Sequence, residues 1–562
     1  MSQKYMDLKR MDRRFIEVTF VGYDIYEPYD GGFGNEMFAH IQIIKRAMEP
    51  QLSSFLTNIS LPPLPNILAL LLLLFILFLI INKRSSSSSP SSSLLPLPPS
   101  PPSLPIIGHL HLLSLPLHHS LSRLSSLHNN SPLLLLRLGS RLALLISSAS
   151  AAEQCFTKHD LTFANRPTLP SSQRLSYNFT TLVAAPYGPH WRNLRRIATA
   201  ELFSSSSLNY FSHVITEEVA FLIKQLSGGS GFRKVEVREK LDELALNVVM
   251  RMMVGRRCDE EEGRRFRWVV KEGFELVKES SVGDFLPFLR KVGNVGREKR
   301  MVRLEKVADE LFEKAVEEMR RRRRRGEEGE ERTIVGRLLD LQEEDREYYT
   351  DEIIKGVILT MIAAGTDTTA ETLEWAMSLL LNHPQSLQKI RSEIELLVGH
   401  DHRLIQVSDL CNLPYIHSIL KETLRLYPVA PLLLPHESSQ DCTIAGFHVP
   451  RGTILFVNVY HIHRDPNMWE EPKSFKPERF MEGATTGLGY KITIMPFGMG
   501  RRSCPGEGLA MRLMGFALGA MIQCLEWRRL GEDEVDMEEG AGMTMPKAKP
   551  LEALCMPRGI IV

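Results

Sequence analysis

Hydrophobic and polar positions divide the chain into unlike regions. Residues 1–47 mix both classes without a clear period and carry seven acidic residues. They read as an upstream extension ahead of an anchor segment, residues 48–84, that opens at Met48. The alternative is a targeting segment, although its acidic content argues against an organelle transit peptide. From Ile67 to Ile81 fifteen apolar residues run unbroken, inside an apolar segment that begins at Leu61. As a helix, Leu61–Ile81 is about 31 Å long, enough to cross a bilayer core. The prolines at 62, 63 and 65 shorten it if they lie outside the helix. A cleaved signal peptide or a buried core helix are the competing readings. No small-residue cleavage site follows; Asn82-Lys83-Arg84 does. Basic residues there place that side in the cytosol.

Residues 85–108 form a Ser-rich linker, then a stiff proline run from Pro98 to Gly108. Residues 109–562 are one domain in which helix-period segments outnumber strand-like ones such as Thr453–Val459, so the fold class is mainly α with small β-sheets. Within it, Phe163 to Pro189 reads as loop. Glu352–Leu381 reads as one long helix, His417–Tyr427 as another, and a last helix runs from about Leu509 to Leu525.

Charge narrows the function. Sixty-eight basic against 67 acidic residues leave a net charge of +1, which argues against a general nucleic-acid binder. Arg320–Arg325 could be an anion patch, but such a run is more commonly a solvated helix end. Cys155, Cys258, Cys411, Cys442, Cys504, Cys524 and Cys555 are scattered, with no Cys-x-x-Cys pair. They make neither a disulfide framework nor a zinc site, and they fit a reducing compartment.

Candidate chemistry concentrates in Phe497-Gly498-Met499-Gly500-Arg501-Arg502-Ser503-Cys504-Pro505-Gly506. A cysteine in the loop before a helix faces free N–H groups and the positive dipole end, which favour thiolate over thiol. The spaced glycines permit φ > 0 and close approach of backbone N–H groups to sulfur. Arg502 is a fixed cation suited to a carboxylate. In the long helix, Ala363-Ala364-Gly365-Thr366-Asp367-Thr368-Thr369 is a poor helix former at mid-helix, and hydroxyls bonding back to carbonyls can bend it there. Trp191 and Arg195 share a helix face, as do Glu422 and Arg425. Each pattern taken alone is also compatible with ordinary packing.

Taken together, the loop resembles the haem-binding loop of the cytochrome P450 superfamily over all ten positions, and the mid-helix pattern resembles that family's oxygen-binding helix. The resemblance covers about residues 95–562. It implies a cytochrome P450 fold behind a single N-terminal transmembrane helix, and a haem b whose iron is held by the Cys504 thiolate, a ligand that favours O–O cleavage. Phe497, Arg502, Cys504 and Gly506 would belong to the haem site, and Trp191 and Arg195 would face a propionate. His436 matches a propionate-binding histidine, the lesser alternative being an ordinary loop histidine. Ala364 and Gly365 would leave room for dioxygen, Thr368 would hold a water, and Asp367 would relay protons. Glu422, Arg425 and Arg479 of Pro477-Glu478-Arg479-Phe480 would form a buried structural triad. The proline run resembles a hinge that orients the domain against the membrane.

No nucleotide-binding glycine fingerprint is evident, so electrons from NADPH would arrive through a separate NADPH–cytochrome P450 reductase, docking near Arg192, Arg196 and Arg512. The expected location is single-pass in the endoplasmic reticulum membrane, with the catalytic domain cytosolic. Tyr187–Arg196, Leu373-Glu374-Trp375-Ala376-Met377 and Pro435-His436-Glu437-Ser438-Ser439 are similar to the plant A-type group and, within it, family 81. That resemblance implies monooxygenation of a lipophilic aromatic molecule, isoflavonoid or flavonoid first, with lignans, indole derivatives or herbicide-like aromatics as alternatives. A haem sensor without turnover and a haem-thiolate isomerase are the rivals; neither needs the Asp367-Thr368 pair.

Overall fold

The computed structural model describes residues 95–559, apart from residues 230, 280–281, 290–294, 327–331, 400–402 and 482–493. The upstream extension, the anchor and most of the Ser-rich linker lie outside the described residues.

The principal helices are α1 (Leu117–Leu127), α2 (Ala149–Phe156), α3 (Pro189–Ala198), α4 (Ser212–Leu226), α5 (Val237–Val254), α6 (Glu260–Lys278), α7 (Val295–Arg324), α8 (Ile334–Glu344), α9 (Asp351–Gly365), α10 (Asp367–Asn382), α11 (Pro384–Val398), α12 (Pro414–Leu426) and α13 (Glu507–Cys524). Strands β1 (Leu133–Leu138), β2 (Arg141–Ile146), β4 (His436–Glu437) and β7 (Ile454–Val457) make a sheet in the order β1-β2-β7-β4. β3 (Arg233–Glu236), β9 (Glu552–Pro557) and β8 (Leu525–Arg529) make a second, and β5 (Cys442–Ile444) pairs with β6 (Phe447–Val449).

The fold is thus mainly helical with small sheets. Leu133, Leu144, Ile146, Leu455 and Val457 pack on one face of the first sheet, and Leu134, Leu136, Leu145 and Ile454 on the other. Strands buried on both faces read as near-continuous apolar runs, which is why Leu133-Leu134-Leu135-Leu136 lacks strand alternation.

The proline run is docked on the domain. The Pro99 carbonyl accepts the Leu135 N–H at 2.8 Å and the Pro101 carbonyl bonds His109 Nε2 at 2.8 Å. Three of the six arginines in the run are paired: Arg320 donates to Glu317 and Asp351, Arg322 to Glu318 and Arg323 to Asp340. Its cations hold α7 to its neighbours, so the helix-end reading prevails over an anion patch.

The expected long helix is bent in two. α9 ends at Gly365, Thr366 lies at φ −89° and ψ −71°, and α10 begins at Asp367. Thr366 Oγ1 donates to the Ile362 carbonyl at 2.7 Å and Thr368 Oγ1 to Ala364 at 2.6 Å, the back-bonding that bends helices. α5 packs along both halves. A Cβ on Gly365 would sit 2.8 Å from Val249 Cγ2 of α5, so this glycine sets the spacing of the two helices. Among the described residues, Asp351–Asn382 is the one helix long and apolar enough to cross a membrane, and most of it is buried, as in a core helix.

Candidate functional site

The cysteine loop is built from its own backbone. Gly498 and Gly500 adopt φ +70° and +71°, and the Cys504 N–H donates to the Phe497 carbonyl at 2.8 Å. A Cβ on Gly500 would lie 2.4 Å from Asp160 Oδ1 and 2.8 Å from the Phe156 carbonyl. The loop is pinned there: the Arg501 N–H donates to Asp160 at 2.9 Å. Gly506 has φ −87°, so the left-handed conformation is used ahead of the cysteine and not after it. α13 starts at Glu507, three residues past the sulfur. Desolvation by the surrounding loop pushes the Cys504 thiol up, while N–H groups of Gly506 and Glu507 and the Arg195 cation favour the thiolate; the cysteine itself is exposed, open to a ligand. A bound metal cation would favour the thiolate further.

Beside the loop lie three arginines without a counter-ion. Arg166 donates to the Leu434 and Pro435 carbonyls at 2.7 and 2.8 Å. Arg502 donates to the carbonyls of Ala164, at 2.7 Å, and Ala185, at 2.5 Å. Arg195 donates to the Ser503 carbonyl at 2.8 Å. No carboxylate lies within ion-pair distance of any of them among the described residues. Burial, with the neighbouring Arg502 charge, pushes Arg166 down to about 9; burial, with Arg195, pushes Arg502 down to about 10. Arg166 Nε is buried with no hydrogen-bond partner. Carbonyls satisfy most of the donors but leave the charge uncompensated, so the cluster is made for an anion.

His436 and Trp191 border the same cluster. His436 Nδ1 bonds the Phe163 carbonyl at 2.7 Å, leaving Nε2. Burial and the charges of Arg166 and Arg502 hold this imidazole well below its ordinary range. Trp191 gives its single N–H to the Leu182 carbonyl at 3.1 Å, and its ring lies 4.4 Å from the Arg502 guanidinium. Its ring supports Arg502 by a cation–π contact.

At the helix bend, Ala364 is exposed and Thr368 half-buried. Asp367 is turned to α5, where Arg238 pairs with it. Arg238 also meets Asp242 at 3.0 Å and Glu374 at 3.4 Å.

The third expected group, the triad, is assembled. Glu422 accepts Arg425 Nε and Nη2 at 2.7 and 2.8 Å, Arg479 Nε at 3.1 Å and the Lys476 N–H at 2.9 Å. Arg425 directs its other N–H groups to the carbonyls of His463, Pro472 and Ser474.

The family model described as "Cytochrome P450" matches residues 98–553, well over half of the chain. The chain belongs to the cytochrome P450 family. It is 51% identical over 81% of its length to cytochrome P450 81Q32 of Catharanthus roseus, of which the match covers 90%. It is 46% identical to the (+)-piperitol/(+)-sesamin synthase CYP81Q2 of Sesamum radiatum, over 81% of this chain and 90% of that one. It is also 46% identical to the isoflavone 3′-hydroxylase of Medicago truncatula, over 80% and 90%. This P450 is a plant family 81 monooxygenase, an oxidoreductase.

The P450 family implies a haem with thiolate-bound iron, and the residues fit one. Cys504 Sγ supplies a soft donor among N–H groups, and Arg166, Arg195 and Arg502 supply the cations that haem propionates need. Arg166 was not legible in the sequence as a site residue. Phe163-Ala164-Asn165-Arg166-Pro167 read only as loop, and its nearness to Arg502 comes from contacts more than 300 residues apart.

Proposed function

We propose that this P450 hydroxylates the aromatic ring of an isoflavonoid or flavonoid, drawing electrons from NADPH through a separate reductase. The observation that carries this reading is the relative named isoflavone 3′-hydroxylase, matched over nearly its whole length. We take the pocket walls to include the α9 face at Met361 and the run from Val429, which are apolar: Met361 and Val429 are buried, and Leu432-Leu433-Leu434 follow. A planar lipophilic molecule suits such walls. The relative named for piperitol and sesamin is as similar, so lignans are the second reading.

When bound, the haem supplies the oxidising chemistry. This chain's residues hold it and manage protons. Cys504 would hold the iron through its sulfur, and the three arginines would bind the haem carboxylates. Thr368, at the bend beside exposed Ala364, offers its hydroxyl to a water. Asp367 takes up a proton as it releases Arg238 and passes it toward Thr368, a general-acid role. Arg192, Arg196 and Arg512 have no carboxylate partner among the described residues and form the reductase-facing surface. Location in the endoplasmic reticulum membrane rests on the apolar span and the following Lys83-Arg84. Deleting residues 48–84 should release most of the protein from heavy membranes; unchanged membrane retention would remove the anchor assignment.

The test of substrate is a spectral binding titration with isoflavones, flavonoids, lignans, terpenoids and fatty acids, followed by product analysis with reductase. Tight spin-state shifts and hydroxylated product with isoflavones support the proposal. Shifts with lignans alone favour the second reading. Shifts with a terpenoid or fatty acid and none with flavonoids overturn both.

A further inference from the structure

Behind the helix bend lies a group of carboxylates, two buried and two half-buried, larger than its cations can balance. Asp367, Glu371 and Glu374 stand on α10, Asp242 and Arg238 on α5, and Thr544 and Lys547 on the C-terminal segment before β9. Arg238 meets Asp242 at 3.0 Å, Glu374 at 3.4 Å and Glu371 at 3.7 Å, besides its contact with Asp367. The Lys547 ammonium lies 4.6 Å from the Trp375 ring and donates to the Asp536 carbonyl. Four carboxylates face two cations, so full ionisation would leave two uncompensated negative charges in a group whose Glu371 and Glu374 are out of reach of solvent. Such sites bind a proton instead.

Glu371 is where that proton belongs. It is 1% exposed. Its Oε1 accepts the Thr544 hydroxyl at 2.9 Å, and its Oε2 is buried with no partner. Glu374, equally buried, is compensated differently: its Oε1 accepts the Leu551 N–H at 2.7 Å. Glu371 follows Asp367 by four residues on one helix, so the two carboxyls share a face. An O–H on Oε2 satisfies the orphan atom by donating to Asp367, whereas a second negative charge there would repel it. Burial first, and the Asp367 charge second, push the Glu371 carboxyl well up, and burial pushes Asp242 up to about 6.

We propose that Glu371 is a neutral carboxylic acid at neutral pH and the internal proton store of the catalytic site, passing its proton to Asp367. In the transfer the Glu371 Oε2–H bond breaks and an O–H bond forms on an Asp367 oxygen. Glu371 becomes the carboxylate and turns to Arg238, which Asp367 has released. Glu371 touches no reacting atom; it acts through Asp367 and is a positioning residue. This inference deepens the monooxygenase reading and rests on it for the role of Asp367, but not for the protonation of Glu371.

The experiment uses the full-length holoenzyme. Infrared difference spectra of wild type minus Glu371→Gln at neutral pH should show the carbonyl stretch of a buried carboxylic acid, shifted in D2O. In Asp367→Asn the band should fade at least tenfold lower in hydroxide concentration, because the like charge is gone and Arg238 is freed for Glu371. During NADPH-driven turnover of an isoflavone with reductase, Glu371→Gln should raise the peroxide released per NADPH several-fold and flatten its pH profile. Absence of the carboxylic-acid band in wild type, or its survival in Glu371→Gln, overturns the proposal. A lost band with unchanged peroxide release and pH profile overturns the store role. If Asp367→Asn also leaves peroxide release unchanged, the reading of Asp367 itself has failed. Should Glu371→Gln not fold, the wild-type band and its alkaline titration against Asp367→Asn still decide the protonation.

Discussion

Gly365→Ala separates two duties of one residue. The resemblance gives this glycine to dioxygen; the structure gives it to helix packing. An added Cβ would lie 2.8 Å from Val249 Cγ2, where carbon atoms prefer about 3.5–4.0 Å. Val249 is 7% exposed and sits mid-helix on α5, where a valine has one strongly preferred rotamer, so it cannot easily swing aside. Overpacking of this kind costs about 1–3 kcal/mol. Replacing glycine by alanine inside a helix returns about 1 kcal/mol. Gly365→Ala alone should therefore destabilise by roughly 0–2 kcal/mol from these two terms. In a Val249→Ala background the obstruction is absent and the same change should stabilise by about 1 kcal/mol. Urea midpoints of the four proteins complete the cycle, with an expected coupling of about 1–3 kcal/mol. Effects that add within about 0.5 kcal/mol would refute the packing account. The glycine would then be needed on its other side, near Ala364, and loss of activity without coupling to Val249 would show it.

Glu422→Gln should strand the fully buried Arg425 and cost about 3–5 kcal/mol; at about 1 kcal/mol per kelvin for a domain of this size the melting temperature should fall by a few degrees, and a loss under about one degree would contradict a buried ionic triad. Burial, with the charges of Arg464 and Arg425, pushes His463 down to about 3, and its Nε2 accepts the Met495 N–H at 3.0 Å. Between that value and the ordinary histidine range the unfolded chain binds a proton that the folded one refuses. Stability present above about pH 6.5 is therefore lost as pH falls toward 3, by up to about 1.4 kcal/mol per pH unit. His463→Gln, which keeps an acceptor, should flatten urea-midpoint profiles in that window; an unchanged slope would assign the acid sensitivity elsewhere. Arg166→Met should stabilise the haem-free chain, by removing an uncompensated buried cation, and speed haem loss measured by transfer to apomyoglobin. Slower or unchanged haem loss would take Arg166 out of the anion site.

Patterns within one turn or one loop determined much of this protein in advance. The cysteine ahead of a helix, the weak mid-helix run Ala364-Gly365-Thr366-Asp367-Thr368 and the Glu422/Arg425 pair are all local, because capping, bending and i,i+3 contacts depend on neighbours in the chain. The mainly helical class was legible for the same reason. Tertiary structure alone decided what those groups face. The leucine run of β1 lacks strand alternation because both its faces are covered. Gly500 has no room for a Cβ because Asp160 and the Phe156 carbonyl press against the loop there. Arg166 meets Arg502, and Arg238 gathers Asp367, Glu371 and Glu374, across spans of sequence that no periodicity connects. Long-range charge balance is a property of the folded interior: it depends on which side chains share a low-dielectric volume, and the chain acquires that volume only when α5 closes over the bend between α9 and α10.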